Sequence, residues 1–212
     1  MKLKVGVISL LFVLSLVFKA DAQQDPQFSQ NMHNKLFFNP AYTGMNDGIC
    51  VYTIARQQWV GFEGRPETYL LGAHGTFVIP GINLRSGGGL VITGDALGQM
   101  HFTSIKGSYS AHIPLNITGS DPGHLGIGIS AGWLQFGLGN NWRSTNPYYS
   151  DPAIPDEGFQ SSKLDLDLGL YYKTNRMFIG ASLTHLTGAT FNAEGEGLGG
   201  GFGTNPDVVN YN

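Results

Sequence analysis

Asp165 and Asp167, two carboxylates separated by one residue, are the first place in this chain where acid/base chemistry could be run. On an extended strand they share a face with side chains roughly 7 Å apart, an arrangement open to proton transfer. Carboxylates facing a water-filled lumen beside Lys173 explain the pair more simply. His33, His74, His101, His112, His124 and His185 show neither i, i+4 nor H-E-x-x-H spacing, so they read as ordinary polar or interfacial residues and not as zinc ligands. Gly195 to Gly200 matches G-x-G-x-x-G by letters. The phosphate-cradling mechanism also needs a buried parallel strand before that loop and a helix after it, and neither is indicated. Ser161-Ser162 stands outside any nucleophile-elbow context. Cys50 is the only cysteine, which excludes an intrachain disulfide; on an apolar strand face it reads as a small hydrophobe. The expectation is a non-enzymatic chain with no catalytic, cofactor-binding or metal-binding residue.

The elements that would position these side chains begin with a leader. Lys2 and Lys4 form a positive n-region, Val5 to Phe18 an apolar h-region, and Ala20-Asp21-Ala22 an A-x-A cleavage site, so residues 1–22 read as a signal peptide. The h-region falls short of the roughly 20 apolar residues of a membrane anchor. Residues 23–48 hold Asp25-Pro26, Asn39-Pro40 and Asn46-Asp47-Gly48, all breaker or turn signals, and read as an irregular N-terminal segment. Charged residues make up only 13% of the chain, well below the roughly 25% of soluble domains, which suggests that something other than water faces part of the surface. The net charge of −3 gives no sign of nucleic-acid binding.

From residue 49 to 186, period-two alternation recurs between turns rich in Gly, Pro and Asn. It is clearest at 164–173, where Leu164, Leu166, Leu168, Leu170 and Tyr172 oppose Asp165, Asp167, Gly169, Tyr171 and Lys173. At 102–113 the polar side carries Ser104, Lys106, Ser108, Ser110 and His112, with Phe102 as its exception. At 124–136 the side opposite Leu125, Ile127, Ile129 and Trp133 is mostly small: Gly126, Gly128, Ser130 and Gly132. Weaker alternation at 49–56, 67–79, 88–97 and 177–185 brings the expectation to about seven strands. Short joins such as 174–176 make them antiparallel.

A soluble sandwich and a membrane barrel produce the same alternation. Strand lengths near the roughly 9 to 11 residues of a membrane-crossing strand favour the barrel, as do the low charge and the aromatics Tyr69, Phe77, Trp133 and Tyr172 near strand ends. The expected fold is therefore an all-β, antiparallel outer-membrane β-barrel. In it Lys106, Asp165 and Asp167 must face the lumen, because a lysine at the bilayer midplane costs about 2 to 4 kcal/mol. Connections at 57–66, 98–101 and 138–162 fall on the outer side in this topology, and 23–48 on the periplasmic side. About seven strands cannot close a typical even-stranded barrel, so the barrel is expected to be incomplete in this chain, with 187–212 a Gly-rich loop or truncated C-terminal end.

Two stretches carry a resemblance. Asp25-Pro26-Gln27-Phe28-Ser29-Gln30 leads on to Asn39-Pro40-Ala41-Tyr42-Thr43-Gly44, followed by Arg56-Gln57-Gln58-Trp59-Val60-Gly61-Phe62. In that order, after a leader and before amphipathic strands, they resemble the start of the PorP/SprF family, outer-membrane components of the type IX secretion and gliding machinery. The resemblance covers mainly residues 25–79. It implies a protein that anchors machinery components or helps to secrete and display a surface protein such as an adhesin, with outer-membrane lipid and other secretion components as partners. It implies no conduit for the secreted polypeptide and no catalytic assignment.

Within these stretches Phe28, Tyr42, Arg56, Trp59 and Phe62 are the candidate partner contacts, Trp and Arg being enriched at interface hot spots. Phe28, Phe37, Phe38 and Tyr42 are equally suited to plugging the lumen, and Trp59 to an interfacial girdle. Two other functions fit the pattern: a channel or transporter for small or hydrophobic solutes plugged by the N-terminal segment, and a secreted β-sandwich binding through Trp142, Tyr148 and Tyr149.

Overall fold

A computed structural model describes residues 26–81, 83–116, 121–139, 158–188, 190–191 and 209–210. The expected signal peptide, the Trp142, Tyr148 and Tyr149 surface and the Gly195–Gly200 loop lie outside the described residues. Seven strands form one antiparallel sheet in chain order: β1 (Ile49–Gln57), β2 (Glu67–Ile79), β3 (Leu84–Leu97), β4 (Met100–Pro114), β5 (His124–Leu138), β6 (Phe159–Lys173) and β7 (Phe178–Leu183). A separate pair, β8 (Thr190–Phe191) and β9 (Val209–Asn210), makes a two-stranded ladder. The all-β expectation holds, with β3 and β6 each starting several residues earlier than the alternation indicates. Local chemistry makes the hairpins. Gly98 takes φ 60° in the two-residue β3–β4 turn, as tight hairpins require. Thr174 Oγ1 accepts from the amides of Arg176 (3.2 Å) and Met177 (3.1 Å) in the β6–β7 turn.

The register puts the two faces in sharp contrast. Within the seven strands every Lys, Arg and Asp, namely Arg56, Arg85, Asp95, Lys106, Lys163, Asp165, Asp167 and Lys173, has concave-face parity. Glu67, the first residue of β2, is the one Asp, Glu, Lys or Arg of these strands on the other face, where His101 near the start of β4 also lies. The convex face carries ladders such as Ile92–Ile105–Trp133–Leu164 and Tyr109–Ile129–Leu168–Leu183, with Ile129, Trp133 and Leu168 well exposed.

The concave face is covered by the N-terminal segment instead of a second sheet, which sets aside the sandwich reading. That segment is made of three short helical turns: a 3-10 turn (Asn31–His33), α1 (Lys35–Phe38) and a second 3-10 turn (Pro40–Tyr42). Tyr42 shows how far the sheet curls around it. Its ring lies 5.6 Å from that of His74 on β2 and 5.3 Å from that of Tyr171 on β6. Four strand spacings in a flat sheet would hold β2 and β6 roughly 19 Å apart. The seven strands are thus the wall of a barrel left open between β1 and β7, each of which pairs on one side only among the described residues.

The segment is not confined to one end of this wall. Its start lies at the far end of β1, where Arg56 Nη1 donates to the Gln27 carbonyl at 2.6 Å. Its finish lies at the near end, where Arg85 Nη2 meets Asp47 Oδ1 at 2.9 Å. Residues 26–48 thus run the height of the concavity.

Candidate functional site

A floor of glycines receives the Asn39–Gly44 stretch. A Cβ on Gly128 would sit 2.3 Å from the Ala41 amide nitrogen, one on Gly169 2.1 Å from Asn39 Oδ1, and one on Gly87 2.1 Å from the Thr43 carbonyl. On Gly126 it would come within 2.6 Å of the Ala41 carbonyl. The small side of the alternation at 124–136 is therefore a socket shaped for a second piece of backbone, the close approach that only glycine permits.

Polar groups then lock the piece in place, because backbone taken from water must find new partners. Asn39 caps the Pro40–Tyr42 turn by accepting from the Ala41 amide (2.9 Å), while its Nδ2 donates to the carbonyls of Leu170 (3.0 Å) and Ala181 (3.2 Å). Thr43 Oγ1 donates to the Pro40 carbonyl at 2.7 Å and lies 2.9 Å from Ser108 Oγ. The Thr43 carbonyl accepts from Ser110 Oγ (2.7 Å) and lies 2.9 Å from His112 Nε2. The Gly44 amide donates to His74 Nδ1 at 3.0 Å, so that nitrogen carries a lone pair and His74 is neutral there. Around this lock, Lys35 Nζ lies 3.8 Å from the Phe178 ring centroid. Burial first, and then Lys173, lower the Lys35 pKa. Burial raises that of the Tyr42 hydroxyl, partly offset by the hydrogen bond from Asn46.

A second cluster sits on the same face toward the other end. Lys106 Nζ lies 2.6 Å from Asp165 Oδ2 and 3.0 and 2.9 Å from the two oxygens of Asp167. Both carboxylates are buried. Lys106 and Asp165 are on strands separated by β5, and the register places Gly132 between them; with no side chain at Gly132, the lysine reaches across. Ser130 Oγ donates to Asp167, the His185 amide donates to Asp167 Oδ1 (3.0 Å), and His185 Nδ1 lies 2.7 Å from Asp165 Oδ2. The sequence reading that set these carboxylates beside Lys173 is corrected: Lys173 Nζ donates to Asn46 Oδ1 at 3.0 Å. The three residues Asp165, Asp167 and His185 have metal-ligating atoms within 4.8 Å of one another, and the Lys106 ammonium already bonds both carboxylates.

The other sequence-derived residues divide. Phe28 is buried with Leu36, Leu70 and Val91, and stacks edge-on with Phe37 at 5.3 Å. Tyr42 is packed between β2 and β6. Both pack on the inner side of the sheet, Phe28 against Leu70 and Val91 and Tyr42 against His74 and Tyr171. Arg56 points into the concavity and is separated from the loop that follows it. Trp59 and Phe62 remain 68% and 72% exposed, on a loop braced by the bond from the Gly98 amide to the Gly64 carbonyl (3.0 Å). Trp59 holds φ 53°, in the left-handed region that bulky residues avoid.

Tyr172, one of the aromatics near strand ends, is buried and donates to the Leu115 carbonyl at 3.1 Å. Phe102, the exception on the polar side of β4, packs on Phe136 at 4.8 Å. Cys50 shares the inward face with Tyr52 and Ile54, and its Sγ receives a weak contact from Asn46 Nδ2 at 3.7 Å. The sequence did not point to the Thr43 lock or to His185, since each depends on neighbours brought together from distant strands.

A family model described as "Type IX secretion system membrane protein PorP/SprF" matches residues 20–211. No curated protein and no solved structure matches the chain.

Proposed function

Since the chain belongs to the PorP/SprF family of type IX secretion system membrane proteins, we propose that it is an outer-membrane β-barrel component that anchors secretion machinery or helps to display a secreted surface protein such as an adhesin. The observation that carries this reading is the segregation of charge. A convex face whose only Asp, Glu, Lys or Arg within the seven strands is Glu67 at a strand end, with His101 also near a strand end, suits lipid, where a lysine or arginine at mid-depth costs about 2 to 4 kcal/mol. The concave side, occupied along its height by residues 26–48, supports a holding role over that of an open conduit.

In this reading residues 1–22 are a cleaved signal peptide, the end of the sheet at Asp47 and Arg85 faces the periplasm, and the Trp59–Phe62 loop faces outward. Trp59 and Phe62 are the contacts offered to another machinery component or to cargo. Tagged full-length protein purified from detergent-solubilised outer membrane should bring secretion components or a surface protein with it. Recovery in the soluble fraction without detergent would rule out the membrane placement, and normal display of every cargo in a clean gene deletion would rule out the secretion role.

A further inference from the structure

The inner face of the sheet changes character along its height. Toward one end its positions on β4 and β5 are Ser108, Ser110 and His112 beside Gly126, Gly128 and Ser130, the seat of Asn39–Gly44. Toward the Gly98 turn they become apolar, with Leu97, Met100 and Leu138 in one row, Phe102 and Phe136 in the next, and Leu134 beyond. Barrel interiors are ordinarily polar, so an apolar half calls for an apolar occupant. The N-terminal segment fills only part of it, Phe28 and Leu36 packing on Leu70 and Val91. Against β4 and β5 this packing stops short: a cavity of about 350 Å³ lies between Leu36 and Phe37 on one side and Phe102 and Leu134 on the other. That volume is within the roughly 300 to 1,000 Å³ of ligand sites.

The charged groups of this half are matched to one another. Asp167 takes both oxygens to Lys106 and also accepts from Ser130 and the His185 amide. Asp165 holds Lys106 and His185. Asp95 accepts from Thr68 and shares its row with Arg56, while Lys163 shares the row of Leu134. The carboxylates Asp95, Asp165 and Asp167 thus share one surface with the cations Arg56, Lys106 and Lys163. An ion of either sign entering the cavity would give up hydration without meeting a free counter-charge, a cost that a neutral molecule avoids.

We propose that this cavity binds a neutral, largely apolar small molecule, its body against Phe37, Phe102 and Leu134 and a single hydroxyl or carbonyl group toward Ser104, which lines the same space. The site selects by shape and by the absence of charge on the ligand. This goes beyond the anchoring role and does not depend on which cargo is served.

The test is photolabelling of the full-length protein in membranes with trifluoromethylphenyl diazirine, a neutral aromatic carbene source, followed by mass-spectrometric mapping. Labelling of lining residues such as Phe37, Met100, Phe102 and Leu134 should saturate instead of rising in proportion to the probe. Three competitors, 4-phenylbutanol, 4-phenylbutylamine and 4-phenylbutyrate, share an apolar body and differ in charge. The alcohol should suppress the saturable labelling at a concentration at least about tenfold below either ion, the ratio that corresponds to about 1.4 kcal/mol. Ser104→Phe, which fills the void from a lining position, should abolish saturable labelling while the protein keeps its β circular dichroism. Phe102→Ser, which removes the apolar wall on β4, should raise the half-saturating concentration severalfold, and with the competitor order it decides the matter if Ser104→Phe does not fold. Competition by the amine or the butyrate as effective as that by the alcohol, no saturable labelling of the lining in the parent, or labelling unchanged in either folded variant overturns the proposal.

Discussion

Asn39–Gly44 and Arg56–Phe62 are both short, distinctive and close in sequence, yet the structure treats them in opposite ways. Ala41 and Thr43 are fully buried, with backbone laid on Gly87, Gly126, Gly128 and Gly169. Trp59, Val60 and Phe62 stand in solvent on a braced loop. Unusual residues in the first stretch are accounted for inside the molecule, by the turn, the cap and the socket. Arg56 is accounted for in the same way, by its bond to the Gln27 carbonyl, whereas Trp59, Val60 and Phe62 stay exposed. The contrast separates what builds the protein from what the protein presents.

The largest effect should come from the concave interior. Lys106→Met leaves Asp165 and Asp167 buried without their cation, a loss of about 3 to 5 kcal/mol for a broken buried pair. Thermal unfolding of the detergent-solubilised protein should fall steeply, and the triple variant that adds Asp165→Asn and Asp167→Asn should recover much of it. A Lys106→Met protein as stable as the parent would mean that the carboxylates are not held by this lysine.

Gly128→Ala comes next. Its new Cβ would meet Ala41 and Pro40 backbone atoms at 2.3 and 2.4 Å, and overpacking of this kind costs about 1 to 3 kcal/mol. The N-terminal segment should be displaced, seen as faster protease cleavage within residues 26–46 with the strands still protected. Cleavage unchanged from the parent would remove the idea that the socket holds the segment. Thr43→Val keeps the shape and deletes the hydroxyl that reaches Pro40 and Ser108. It should destabilise by about 1 kcal/mol, read as a smaller shift of the same cleavage rate and of the melting temperature.

The strands were legible in the sequence because alternation is a local property: Leu164 to Tyr172 sort against Asp165 to Lys173 without knowledge of any neighbour. The helical turns at 31–42 were not, since three or four residues are too few to display a 3.6 period. Gly126 and Gly128 were visible as small residues, but their purpose depends on Ala41, some 85 residues away in the chain. Lys106 likewise could not be matched to Asp165 without the register through Gly132. Lys173 was the nearer choice along the chain and the wrong one in space. What a strand shows of itself is its faces; what those faces receive is decided by long-range pairing.

The smallest change in stability should come from the loop, and it is the change that bears most on function. A bulky residue in the left-handed region costs roughly 1 to 2 kcal/mol, and Trp59, at φ 53° and 68% exposed, has little packing with which to offset that cost. Glycine adopts the same conformation freely. Trp59→Gly should therefore leave stability unchanged or raise it slightly, by no more than about 1 kcal/mol, with no fall in melting temperature, and leave the protease pattern of residues 26–46 as it is. If the tryptophan is retained for an external contact, the same variant should bring down less of the partner recovered with the parent protein from solubilised outer membrane, and Phe62→Ala should do likewise. A clear drop in stability would place Trp59 with Asn39–Gly44 as a builder of the fold. Full partner recovery in both variants at parental stability would leave the exposed loop without the role proposed for it.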